Sequence, residues 1–161
     1  MSKYTTQMDA AKQGIITPEM KAVAAKEYRT EDEIRDLIAN GQDVICANKR
    51  HTCINPNGVG SMLRTKINVN LGISRDCKDY EIEMQKVMAA VNLGAEAIMD
   101  LSSHGNTQPF RRKLTAECPA MIGTVPVYDS VIHYQRDLAT LTAKDFIDVI
   151  RLHAEDGVDF V

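Results

Sequence analysis

The sequence predicts an α/β fold in which a helical N-terminal extension precedes the first strand-helix units of a TIM-like (β/α)8 barrel. Three observations predict it. Strand-like apolar runs recur at Thr65–Leu71, Ala95–Leu101 and Met121–Tyr128, and Val158–Val161 begins a fourth. Helix-like stretches separate these runs, and strands joined through crossover helices form a parallel sheet. Each strand-plus-helix unit takes ~30 residues, the usual size of such a repeat.

The elements follow in order along the chain. Residues up to about 40 read as helices: Thr17 is an N-cap with Pro18 at the first helical position, and Thr30 with Glu33 forms a capping box closed by Gly41. Asp43–Ala47 is a short strand candidate. It is followed by the loop Asn55–Ser61, whose Pro and Gly content argues against regular structure there. A helix over about Asp79–Leu93 carries Ile82, Val87, Ala90 and Val91 on one face and stops at Gly94. Met84 and Met88 share its helical spacing and read as core filler. A second helix spans about Thr107–Glu117, and a third begins near Thr142, presents Phe146, Val149, Ile150 and His153 on one side, and ends at Gly157. The resulting division is a helical extension and loop over 1–60 and a partial barrel over 61–161. A complete barrel needs about 250 residues, so the chain is expected to be an N-terminal portion entering its fourth strand. The rival reading is a complete small three-layer α/β domain.

Composition narrows the function classes. With 161 residues and 44% hydrophobic content the chain has material for one real core, and a net charge of −3 supplies no broad basic surface for nucleic acid. No window approaches the ~18 uninterrupted apolar residues of a membrane span, and the first residues lack an apolar signal core, so a cytoplasmic protein is expected. Cys46, Cys53, Cys77 and Cys118 form no Cys-x-x-Cys pair, which argues for reduced thiols and against a zinc ribbon.

In parallel sheets, ligands gather at the carboxyl ends of the strands. Asn70, Met99 and Tyr128 fall near those ends at successive intervals of 29 residues. Asn68 and Asn70 alternate with Ile67, Val69 and Leu71, so both amides face one side of their strand. An amide there suits a ribose, phosphate or heterocycle edge, or equally the neighbouring strands. Asp100 could orient a ligand or an arginine, and Ser102, Ser103 and Gly105 precede a helix start in a way that can hold a phosphate. Tyr128 follows Pro126, read as a bulge or strand end, and its phenol could stack on or hydrogen-bond a flat ligand. His104 has no second metal ligand at useful spacing, and Arg64, Lys66, Arg111 and Arg112 are candidate anion partners.

Several longer motifs carry a resemblance. Thr6–Lys12, Gly14–Met20, Lys66–Gly72, Ile98–Ser102 and Gly123–Tyr128 together resemble the phosphomethylpyrimidine synthase (ThiC) family of thiamin biosynthesis, in order and over nearly the whole chain. The resemblance implies a (β/α)8 barrel, a homodimer and a radical S-adenosylmethionine lyase that converts aminoimidazole ribonucleotide to hydroxymethylpyrimidine phosphate. It implies Asn70, Met99 and Tyr128 as substrate contacts and assigns no catalytic residue here. The [4Fe-4S] cluster, S-adenosylmethionine and zinc sites are implied in the family's C-terminal portion, so this chain alone is expected to be inactive. Cys46-Ala-Asn-Lys49, Asp100-Leu-Ser-Ser-His104 and Glu96 are instead similar to the paralogous 5-hydroxybenzimidazole synthases of anaerobic cobamide biosynthesis. A non-catalytic binding or assembly piece is the alternative from a different class.

Overall fold

A computed structural model describes residues 4–161, which divide into two compact units. The first comprises the chain up to Ala47 together with Asn55–Lys66, and the second comprises Asn48–Ile54 and Ile67–Val161.

In the first unit three short helices, α1 (Gln7–Lys12), α2 (Pro18–Glu27) and α3 (Glu31–Ala39), begin at Thr6, Thr17 and Thr30. Each threonine hydroxyl accepts from a backbone N–H of the first turn, and Thr30 with Glu33 completes the capping box. Such caps satisfy amides that a helix end leaves unpaired. The apolar faces meet around Ala10, Met20, Val23, Ile34, Ile38 and Ile45. Strand β1 (Asp43–Ile45) pairs antiparallel with β2 (Gly58–Gly60), so the loop expected to lack regular structure contains a strand. Gly58 there marks a close approach: a Cβ on it would lie 2.8 Å from Leu63 Cδ1 and 3.0 Å from Val23 Cγ1.

The second unit is built on a parallel sheet of β3 (Asn68–Leu71), β4 (Ala97–Asp100) and β5 (Met121–Thr124), in that spatial order. Helices α4 (Tyr80–Asn92) and α5 (Gln108–Glu117) cover one face, enclosing Met84, Val87, Ile98, Phe110, Leu114, Cys118 and Ile122. Val69 and Leu71 pack against that cluster, while Asn68 and Asn70 are exposed on the opposite face, as their alternation requires. Two residues expected in the core of α4 are not: Ile82 is 47% exposed and Met88 37%, because the buried side of this helix is set by Met84 and Val87. Helix α7 (Ala143–Glu155) buries Val149 and His153 but leaves Ile150 exposed.

The third strand is shorter than its apolar run suggests. It ends at Thr124, and Pro126 starts helix α6 (Pro126–Tyr134). Proline lacks the N–H that a strand ladder needs and holds a helical φ, so at this position it opens a helix. At the end of the chain, Phe160 forms a single parallel bridge to Gly123, beyond which the described residues form no closed barrel.

Candidate functional site at the strand ends

The parallel register aligns one transverse row on the open face of the sheet. Asn70 pairs with Met99, Met99 with Gly123, and Gly123 bridges to Phe160. Neighbouring strands lie ~4.8 Å apart, so the row places an amide, a thioether, a bare backbone and an aromatic ring side by side. Asn70 is exposed and Met99 half-buried. Gly123 leaves its place to the neighbouring ring, since a Cβ there would sit 2.3 Å from Phe160 Cε2 and 2.4 Å from Cζ.

Two of the three residues predicted from the strand-end spacing are therefore brought together, and the third is not in the row. Tyr128 lies in the first turn of α6, beyond the carboxyl end of β5, with its N–H donating to Val125 O at 3.0 Å and its side chain 49% exposed. Gly123 holds the row position on β5, and Tyr128 lies just past the carboxyl end of that strand. Sequence reasoning missed Phe160, although glycine within a strand and an aromatic beginning the next run was the available signal.

The loop after β4 serves structure more than ligand capture. Asp100 is 4% exposed, and its Oδ1 accepts from both the Ser102 N–H and the Ser102 hydroxyl. Ser102 Oγ in turn accepts from Ile73 N–H at 2.9 Å. Burial raises the Asp100 carboxyl above its usual range despite the Ser102 hydrogen bonds and the Arg111 charge.

Behind the sheet lies a buried polar network. Arg111, 3% exposed, reaches Asp156 through Nη2 at 2.9 Å and Asp129 through Nη1 at 3.1 Å. His153 contacts Thr124 Oγ1 through Nδ1 at 2.8 Å and donates from Nε2 to Asp129 Oδ2 at 2.7 Å. Burial pushes the Asp129 carboxyl up, but hydrogen bonds from His153 and Thr107 and the Arg111 charge outweigh it and hold the pKa down to about 2. The Thr-His-Asp order resembles a catalytic relay, but Thr124 is 3% exposed and the space it shares with Asp129 and His153 is about 10 Å³, too small for substrate. A larger cleft of about 590 Å³ borders the network along Gln108, Arg111, Asp129, His133 and Leu152; none of Asn70, Met99 or Tyr128 lines it, and its Arg111 and Asp129 already bind each other.

Beneath the row, His51 ties the segment before residue 55 to the end of the chain. Its Nδ1 faces Asp159 Oδ2 and its Nε2 faces Cys118 O, both at 2.7 Å. Both partners are acceptors, an arrangement that favours the doubly protonated His51 ring. Burial lowers its pKa, and the Asp159 hydrogen bond and charge with the Cys118 carbonyl more than reverse that, leaving it raised.

The thiols do not fit an iron-sulfur cluster, which needs several converging thiolates. Cys77 Sγ donates to Glu83 Oε1 at 3.0 Å, Cys53 Sγ to Cys118 O at 3.3 Å, and burial pushes the Cys118 thiol up to about 11. Among the described residues no three His, Cys, Asp or Glu side chains are grouped to hold a metal ion, and no helix is long and apolar enough to cross a membrane.

Comparison with known proteins gives these observations a context. Residues 6–161 match the Radical SAM ThiC family. The chain is 58% identical over 158 residues to phosphomethylpyrimidine synthase of Clostridioides difficile (strain 630), covering 98% of this chain and 36% of that protein. It is 57% identical over 159 residues to the Alkaliphilus oremlandii (strain OhILAs) synthase, covering 99% and 36%, and 54% identical over 158 residues to that of Clostridium novyi (strain NT), covering 98% and 36%. It thus spans about a third of the length of the curated relatives it matches. With the family match extending over all but the first five residues, the chain belongs to the radical SAM ThiC family.

Proposed function

We propose that this chain supplies one wall of the ribonucleotide site of a radical S-adenosylmethionine synthase, a (β/α)8 barrel that converts aminoimidazole ribonucleotide to hydroxymethylpyrimidine phosphate in thiamin biosynthesis. The observation that carries this reading is the register that sets Asn70 beside Met99 on the open face of the parallel sheet. The chain's similarity to phosphomethylpyrimidine synthases supports it.

In this reading Asn70 donates to and accepts from polar edges of the ribonucleotide, Met99 packs on its apolar parts, and Tyr128 approaches from the start of α6 with its hydroxyl or ring. The cluster that cleaves S-adenosylmethionine, and any zinc, belongs to parts of the family fold other than the described residues. The whole protein is proposed to be a cytoplasmic homodimer, with no nucleic-acid or membrane partner.

A second reading, 5-hydroxybenzimidazole synthase acting on the same ribonucleotide, is favoured by Cys46-Ala-Asn-Lys49 and Ser103-His104. Glu96 adds little to it, because Glu96 Oε2 accepts from Ile67 N–H at 2.8 Å, at the amino end of the sheet and away from the strand ends that face substrate. One experiment separates the two. Residues 6–161 replace the matching stretch of the Clostridioides difficile synthase, the chimera is reconstituted anaerobically with iron and sulfide, and the products are read by mass spectrometry. Hydroxymethylpyrimidine phosphate is expected. Hydroxybenzimidazole establishes the second reading, and absence of both from a folded, cluster-loaded chimera overturns the two together.

A further inference from the structure

Phe160 stands in the same transverse row as Asn70 and Met99, carried there by its bridge to Gly123. We propose that it is a further contact of the ribonucleotide site, an aromatic platform for the flat heterocycle. The proposal rests on the reading above and adds to it a residue that recognises the base rather than the sugar phosphate.

The ring is held in place before any ligand arrives. Asp159, its neighbour, points to the opposite side of the segment with a side chain 0% exposed. Its Oδ1 accepts from Asn48 N–H, and its Oδ2 accepts from Ile122 N–H and from His51, all at 2.7 Å. On the backbone, Thr124 N–H donates to Phe160 O at 3.2 Å and Phe160 N–H to Ile122 O at 3.3 Å. Gly123 supplies the remaining condition, since any side chain there would occupy the space of the ring. Phe160 nevertheless remains half-exposed, at one end of a row that runs through Gly123 and half-buried Met99 to exposed Asn70.

That arrangement matches a heterocycle better than it matches simple core filling. A fixed ring offers its π-face to any flat base, and fixing it beforehand reduces the ordering cost of binding. Asn70 can satisfy the polar edge of the same base, and Met99 makes soft sulfur-to-ring contact.

The test uses the chimera described above and measures dissociation constants for the imidazole ribonucleotide and for ribose 5-phosphate, which lacks the heterocycle. Phe160→Leu is expected to weaken the ribonucleotide about tenfold or more while leaving ribose 5-phosphate unchanged. Phe160→Tyr keeps the platform and is expected to stay within about threefold of the parent. Gly123→Ala, which displaces the ring without removing it, is expected to reproduce the loss. Phe160→Trp gives a reading independent of affinity, because the emission it adds is expected to change with the ribonucleotide and not with ribose 5-phosphate. Should Phe160→Leu bind the ribonucleotide like the parent while Asn70→Ala loses it, the platform is overturned and the functional reading stands. If the parent chimera binds no ribonucleotide, both fall.

Discussion

Asp43 and His51 both make the fold less stable as pH rises, for different physical reasons. Asp43 is 6% exposed, and neither carboxyl oxygen has a hydrogen-bond partner within the protein. Burial raises its pKa above 3.8, partly offset by the charge of Lys66. A raised folded pKa means that stability is greatest below the unfolded value and is lost as pH rises through the folded one. Asp43→Asn removes the buried charge with little change of shape, and is expected to stabilise the first unit at pH 7 by about 1 kcal/mol and to abolish that pH dependence, as read by thermal melts from pH 3 to pH 7. A destabilised variant would show that the carboxylate has a partner in solution. His51 also has a raised pKa, so its contribution is complete below 6.5 and disappears as pH climbs through the folded value. Hydrogen exchange at Ile122 and Asp159 is expected to accelerate on the alkaline side of that range. In His51→Gln the exchange should be fast throughout, beyond the ordinary chemical dependence of exchange on pH. Gly123 and Phe160 show what a single position hides: the glycine is needed for its missing side chain, and nothing local in Met121–Thr124 says which ring fills the gap.

Helices α5, α6 and α7 are fastened to one another by charge. Arg111 on α5 binds Asp129 on α6 and Asp156 just after α7, and His153 on α7 also binds Asp129. Replacing Arg111 by Met would leave both carboxylates buried and short of a partner, at an expected cost of about 3–5 kcal/mol measured by denaturant unfolding. The same network predicts an acid limb. Asp129 titrates from 3.8 in the unfolded chain to about 2 in the fold, so it contributes about 2 kcal/mol above pH 4 that is lost as pH falls toward 2. That limb should be missing from Asp129→Asn. Helix α7 begins with a capping box between Thr142 and Asp145, and Thr142→Ala should cost about 1 kcal/mol. Most of these helices were legible, because N-cap residues, Pro at the first position and Gly at the end are local signals. Helix α6 was not, since Pro126 inside an apolar run reads equally as a strand end and as a helix start, and β5 stops only where its ladder with β4 stops.

For the whole molecule, the donor set bounds what these residues do by themselves. The 161-residue chain supplied with iron, sulfide, S-adenosylmethionine and reductant is expected to form no product, because its described residues gather no cluster ligands. Product formed by the purified chain would overturn this. The sequence alone determined the helical N-terminal segment, the parallel α/β order after it, the side of β3 on which Asn68 and Asn70 lie, and the family, because caps, periodicity and long motifs are properties of neighbouring residues. Tertiary structure decided the rest. Whether the glycines of 58–60 break the chain or let it pair depended on β1 lying opposite. Whether Asp100 and Arg111 face a ligand or each other's neighbours depended on which helices cover the sheet. Gly123 and Phe160 complete the row beside Met99 because strand register is fixed by hydrogen bonds between segments distant in sequence, which no spacing along one segment encodes.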